Sequence, residues 1–117
     1  MYAYSYYQAA IDSDNISDVE NYLKKALEVC NNRIKDKDMK QELLTFKLRI
    51  FYNLGEVFLR DFKQTNDELS KQKAGEYLKE GMKCFKINKQ IFSKQEQKEI
   101  ETDGPIKDIL DLLNELH

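Results

Sequence analysis

Residues 51 to 58 read Phe51-Tyr52-Asn53-Leu54-Gly55-Glu56-Val57-Phe58, and this run decides the fold. Phe51, Leu54, Gly55 and Phe58 recur at intervals of three and four, so they share one face of a helix. A glycine in the middle of that face leaves room for a second helix to come close. The same period extends outward through Leu44, Leu48 and Phe62, with Leu43, Phe46, Ile50 and Val57 on the adjoining stripe. The spacing therefore predicts one long helix from about Met39 to Phe62. An apolar surface that wide must touch neighbours on two sides, which places this helix at the centre of the core.

Toward the N-terminus, Ala3, Tyr6, Tyr7, Ala10 and Ile11 mark a helix from Tyr2 to the turn formers Asp12, Ser13, Asp14 and Asn15. It begins almost at Met1 without a cap, as expected of a piece of a longer helical array. Ser17 with Glu20 has the form of a capping box opening a second helix, which carries Val19, Tyr22, Leu23, Ala26, Leu27 and Cys30 and runs to about Ile34. Asp38 with Gln41 is the matching cap for the long third helix.

Beyond Phe62, Thr65 with Glu68 predicts the start of a fourth helix, marked by Leu69, Ala74, Tyr77, Leu78, Gly81, Met82 and Phe85 and ending near Asn88. Ser93 with Glu96 opens a short fifth helix, poor in apolar residues, that breaks at Asp103 and Gly104. Pro105 suits the first position of a last helix, in which Ile106, Ile109, Leu110, Leu113 and Leu116 form an amphipathic stripe.

Composition supports the same reading. A chain of 117 residues is one domain, too short for separate cofactor and substrate domains. With only four Gly and one Pro, and Leu, Lys, Glu and Gln abundant, propensity leans to helix, and an all-α fold is expected. The formal charge of −2 comes from interspersed Lys and Glu. Lys71, Lys73, Lys79, Lys83, Lys86 and Lys89 are interrupted by Glu68, Glu76 and Glu80, so direct nucleic-acid binding is not expected. Cys30 and Cys84 lie far apart on apolar faces, outside any metal-ligand spacing, and read as buried thiols of a reducing compartment. No apolar run is long enough for a membrane span and no signal peptide is evident, which fits a cytoplasmic protein.

Chemistry is missing at the sequence level. The single histidine is the last residue, His117, and the four glycines are too scattered to cradle phosphate. Catalytic, cofactor and metal sites are all expected to be absent, and the chain is read as a non-enzyme.

The phrase from Phe51 to Phe58 resembles the first helix of a tetratricopeptide repeat, with its aromatic, Leu-Gly and second aromatic. Two strings resemble that family's second helix: Val19, Leu23 and Ala26 in the earlier unit, and Ala74, Leu78 and Gly81 in the unit that Phe51 to Phe58 opens. The resemblance covers residues 2–89 as two helix pairs, with 90–117 supplying a short helix and a terminal capping helix. The departures are a longer repeat, no Leu-Gly pair in the first helix and no Pro closing the units. The resemblance implies a right-handed array whose first helices line a concave groove for a peptide or helix of another protein. Carried over position by position, the groove residues are Tyr4 and Gln8 in the first unit, and Arg49, Tyr52, Asn53, Glu56 and Arg60 in the second. An Asn at the place of Asn53 often bonds the bound peptide backbone in that family. Members that grip the acidic tail of heat-shock chaperones need Lys and Asn where Tyr4 and Gln8 stand, so that specificity is not expected. A weaker likeness links the long helices to the C-terminal regulatory domain of Gram-positive peptide-pheromone receptors.

Two functional expectations follow. One is a protein-protein interaction module using the groove. The other is an assembly subunit that forms a homodimer or docks in a complex through Ile106, Ile109, Leu110 and Leu113. The tyrosines at 2, 4, 6 and 7 fit either core packing in the first helix pair or an aromatic contact patch.

Overall fold

The computed structural model describes residues 2–33 and 40–116. Among them are six α-helices: α1 (Ala3–Ile11), α2 (Ile16–Arg33), α3 (Lys40–Thr65), α4 (Glu68–Asn88), α5 (Lys94–Asp103) and α6 (Pro105–Glu115). A single 3₁₀ turn at Lys89–Ile91 links α4 to α5, and no strand occurs among the described residues. The all-α expectation holds. The expected cap at Asp38, the end of the second helix at Ile34 and His117 lie outside the described residues.

Two of the expected capping boxes are replaced by other caps. Asn15, not Ser17, caps α2: its Oδ1 accepts from the backbone N–H of Ser17 at 2.9 Å and of Asp18 at 3.1 Å. At the next boundary Asn66 takes a left-handed φ of 57°, which Asn tolerates, and its N–H closes α3 on the Phe62 carbonyl at 2.7 Å. The cap of the next helix therefore falls two residues later than the Thr65 reading implies. Asp67 becomes the cap of α4, accepting from the Leu69 N–H at 3.0 Å, while the Thr65 hydroxyl donates to the Asp61 carbonyl and accepts from the Asp67 N–H at 3.2 Å. The Ser93–Glu96 box forms as expected, with bonds of 3.1 Å and 2.9 Å in the two directions.

The long helix is central. Leu48, Ile50 and Leu54 of α3 are completely buried, and side chains of α3 enter every one of the three core clusters. One flank of α3 packs on α2, and the other packs on α4 and α6. The thinnest dimension is 18 Å, room for two layers of helices about 10 Å across. Close approach between α3 and α4 depends on glycine. A Cβ on Gly55 would collide with the Leu78 side chain, and one on Gly81 would stand 3.0 Å from both the Phe51 Cβ and the Ile109 Cδ1.

The terminal helix is a structural partner of that pair. Ile106 and Ile109, expected on a face open to a second subunit, are 1% and 0% exposed and pack among Leu44, Leu48, Leu78 and Phe85. Leu113 is half-buried in the same cluster, and of the four only Leu110, at 39%, is exposed. The physical reason is that α3 and α4 alone leave an apolar seam, which the stripe of α6 covers. Cys30 is completely buried and Cys84 half-buried; burial pushes the Cys84 thiol up, against the opposing pull of Lys47 and Asn88.

Candidate functional site

The face of α3 that does not enter the core forms the floor of a trough. Gln41, Thr45, Arg49, Tyr52, Glu56, Arg60 and Gln64 recur along it at intervals of three and four, so they point the same way. Neighbouring helices raise walls beside this face in three successive segments, adjoining ones sharing a lining residue.

The first segment, about 510 Å³, lies between α3 and α5. Its floor is Phe46, Phe92 and Ile100, and Glu42, Glu96 and Glu99 stand at its rim. Arg49 closes this segment and opens the next. The middle segment, about 260 Å³, sets Arg49, Tyr52 and Asn53 between Tyr7 of α1 and the α5–α6 turn with Asp103, Gly104, Pro105 and Asp108. Asn53 is shared with the third segment, about 390 Å³, where Glu56, Val57, Arg60, Asp61 and Gln64 face the α1–α2 turn with Ile11, Asp14 and Ile16.

Five residues singled out from the sequence, Arg49, Tyr52, Asn53, Glu56 and Arg60, all line this trough. Tyr4 and Gln8 do not. Tyr4 is 66% exposed and stacks on Tyr7 with ring centroids 6.4 Å apart, while the Gln8 amide donates to Asp12 at 3.3 Å. The buried face of α1 runs through Ala3 and Ala10, and Tyr7 lies on that face between them. It is therefore Tyr7 that reaches α3, its ring 5.3 Å from that of Phe46. The signal was legible as the Ala3, Tyr7, Ala10 spacing. The acidic wall from α5 and α6 had no such signal, because it depends on how the fifth helix folds back on the third.

Polar geometry defines what the middle of the trough can do. Both amide hydrogens of Asn53 are engaged, one by the Tyr7 hydroxyl oxygen at 2.8 Å and one by the Arg49 carbonyl at 3.0 Å. Its remaining capacity is the Oδ1 acceptor, suited to a ligand N–H. Burial pushes the Tyr52 phenol up, and the negative charges of Glu56, Asp108 and Glu115 push it further, so Tyr52 stays a neutral hydroxyl at physiological pH. Arg60 pairs with Glu56 at 3.2 Å. None of the described lining residues is a histidine, a cysteine or a lysine.

A separate polar cluster ties α2 to α4. The Tyr77 hydroxyl donates to Glu20 at 2.5 Å, and Lys73 and Lys24 approach the same carboxylate at 3.5 Å and 3.8 Å. Glu20 is drawn to α4 and not back to a cap, which is why the Ser17 box does not form. Among the described residues no group of three or more His, Cys, Asp or Glu is placed to hold a metal ion, and no helix is long and apolar enough to cross a membrane. Comparison with known proteins finds no match for the chain, whether among family models, curated proteins or solved structures.

Proposed function

We propose that the chain is a non-enzymatic interaction module that holds a peptide or a helix of another protein in the trough along α3. The observation that carries this reading is the succession of three concavities along α3 from Gln41 to Gln64, adjoining ones sharing Arg49 or Asn53 as a lining residue. At 1.5 Å per residue, that stretch of α3 is about 35 Å long, enough for roughly ten residues of extended chain. A catalytic pocket has no need of such length. The chemistry suits recognition: an apolar floor at Phe46, Phe92 and Ile100 for a large side chain, the Asn53 Oδ1 for a backbone N–H, and the Tyr52 hydroxyl between them.

The tetratricopeptide-like reading rests on the repeat pattern of the sequence, and α1 to α4 alternate in direction as in any array of antiparallel pairs. Tyr7 meets Asn53 while Ile11 lies beside Arg60, so α1 runs in the sense of α3; Asp108 lies beside Tyr52 and Glu115 pairs with Lys63 at 3.5 Å, so α6 does the same. Ala26, Ala74 and Gly81, the small residues of the repeat pattern, are all buried. The assembly reading has less to stand on, since Ile106 and Ile109 already have partners in the chain's own core.

The test is peptide capture from a random display library, followed by titration of a recovered peptide against Tyr52→Ala and Glu56→Ala. Loss of affinity by about tenfold or more in Tyr52→Ala, with the melting transition retained, supports the trough. Binding indifferent to both substitutions refutes it.

A further inference from the structure

We infer that the occupant of the trough is a basic segment of a partner protein, one with Lys or Arg residues on either side of a large apolar anchor. This rests on the reading of the trough as a binding surface and adds the chemistry of what fills it.

The charge distribution is the first observation. The chain as a whole is nearly balanced, with 21 acidic and 19 basic residues. Along the trough the balance is gone: eight carboxylates line it, against the two guanidinium groups of Arg49 and Arg60. Arg60 is itself paired with Glu56 at 3.2 Å, so Arg49 is the one trough cation without a salt bridge among the described residues. No lysine is among the described lining residues; Lys107, beside Asp108, acts on Asp103 and Asp108 from outside the trough and pairs with Asp111 at 3.0 Å. Lys71 and Lys79 flank the separate concavity between α4 and the end of α6.

The second observation is where the acids stand relative to apolar surface. Glu42, Glu96 and Glu99 surround the pocket floored by Phe46, Phe92 and Ile100, and Asp103 and Asp108 follow along the same wall toward Tyr52. An acidic rim around an apolar floor complements a side chain such as Leu or Phe flanked by cations, since the anchor loses water while the cations keep theirs at the rim. An acidic peptide would meet like charge along the whole length. A single metal ion or small cation would leave most of the trough unused, because the carboxylates extend through all three segments.

The screening length at physiological salt is about 8 Å, shorter than the trough, so each segment acts on the nearest cations and the attraction weakens as salt rises. Selectivity and association rate are where this field acts most strongly.

The experiment is selection of a random peptide library on the immobilised full chain at low salt, with sequencing of the enriched peptides. The recovered peptides are then titrated against Glu42→Gln with Glu99→Gln, and against Asp103→Asn with Asp108→Asn. All four side chains are exposed and outside the capping bonds, so both variants keep the fold, checked by circular dichroism. Expected are peptides enriched in Lys and Arg with one aliphatic or aromatic residue. Their affinity falls at least about tenfold from low to high salt, and severalfold in each double variant. Enrichment of acidic or uncharged peptides whose binding is lost in Tyr52→Ala overturns the basic partner while sparing the trough. Basic peptides insensitive to both double variants also overturn it, and no enrichment at any salt overturns the inference together with the trough.

Discussion

The Asn53 amide donates to the Tyr7 hydroxyl oxygen at 2.8 Å, and this bond fastens α1 to α3 at the centre of the trough. A residue expected from its resemblance to contact a ligand backbone thus first serves the chain itself. Tyr7→Phe removes the acceptor while keeping the ring against Phe46, so a loss of about 1 kcal/mol in denaturant unfolding is expected. An unchanged midpoint would show that the bond contributes nothing.

Gly55 and Gly75 make a contrasting pair within one helix packing. An added methyl at Gly55 collides with Leu78, whereas one at Gly75 finds only the Leu116 Cδ1, at 3.8 Å. Gly55→Ala is expected to cost about 1–3 kcal/mol, and Gly75→Ala to be neutral or stabilising by up to about 1 kcal/mol through helix propensity. Thermal melts of the two variants check this directly, and equal effects would contradict the packing described.

The Glu20–Tyr77 pair carries a pH signature. Burial pushes the Glu20 carboxyl up, but the Tyr77 hydrogen bond and the Lys24 and Lys73 charges outweigh it and hold it below its ordinary value of 4.5. A carboxyl lowered by folding adds stability that is complete above about pH 4.5 and is lost as pH falls through the lower folded value. Burial, with the hydrogen bond and charge of Glu20, raises the Tyr77 phenol, whose contribution holds below pH 10 and fades as pH climbs above it. Tyr77→Phe is expected to cost about 1–2 kcal/mol at neutral pH and to flatten the acid limb of the stability profile. A parallel profile, merely offset, would assign that limb to other carboxylates.

Ile109 and Leu110 are neighbours in sequence with opposite surroundings, 0% and 39% exposed. Ile109→Lys places an unpaired charge in the core and is expected to cost more than about 3 kcal/mol, while Leu110→Lys stays within about 0.5 kcal/mol. Light scattering of the unaltered chain and of Leu110→Lys is expected to give the same monomer mass. A dimer dissolved by Leu110→Lys would instead favour assembly through α6.

Legibility in the sequence followed the physics of each element. Periodicity found α3, because its apolar face is wide and uninterrupted, and Pro105 marked the start of α6 as it appears in the structure. Caps were harder to place. Ser17 and Thr65 each have a Glu three residues on, yet Asn15 and Asp67 win: the local left-handed turn at Asn66 carries the boundary past Thr65, and Tyr77 holds Glu20 through a tertiary contact. Arg49, Tyr52, Asn53, Glu56 and Arg60 come together along the trough because one helix fixes their relative directions. Tyr4 and Gln8 stand outside the trough because the rotation of α1 about its own axis depends on where Ala3 and Ala10 bury. The acidic wall of Asp103 and Asp108 was invisible until α5 folded back along α3.

The central claim is that ligands enter along the α3 trough, and backbone amide shift mapping by two-dimensional NMR tests it most directly. On titration with a peptide recovered by display, shifts are expected to cluster at Thr45, Arg49, Asn53 and Glu56, with further changes at Tyr7 and around Gly104. Shifts confined instead to the outer faces of α4 and α6, around Lys79, Lys83 and Leu110, would contradict it.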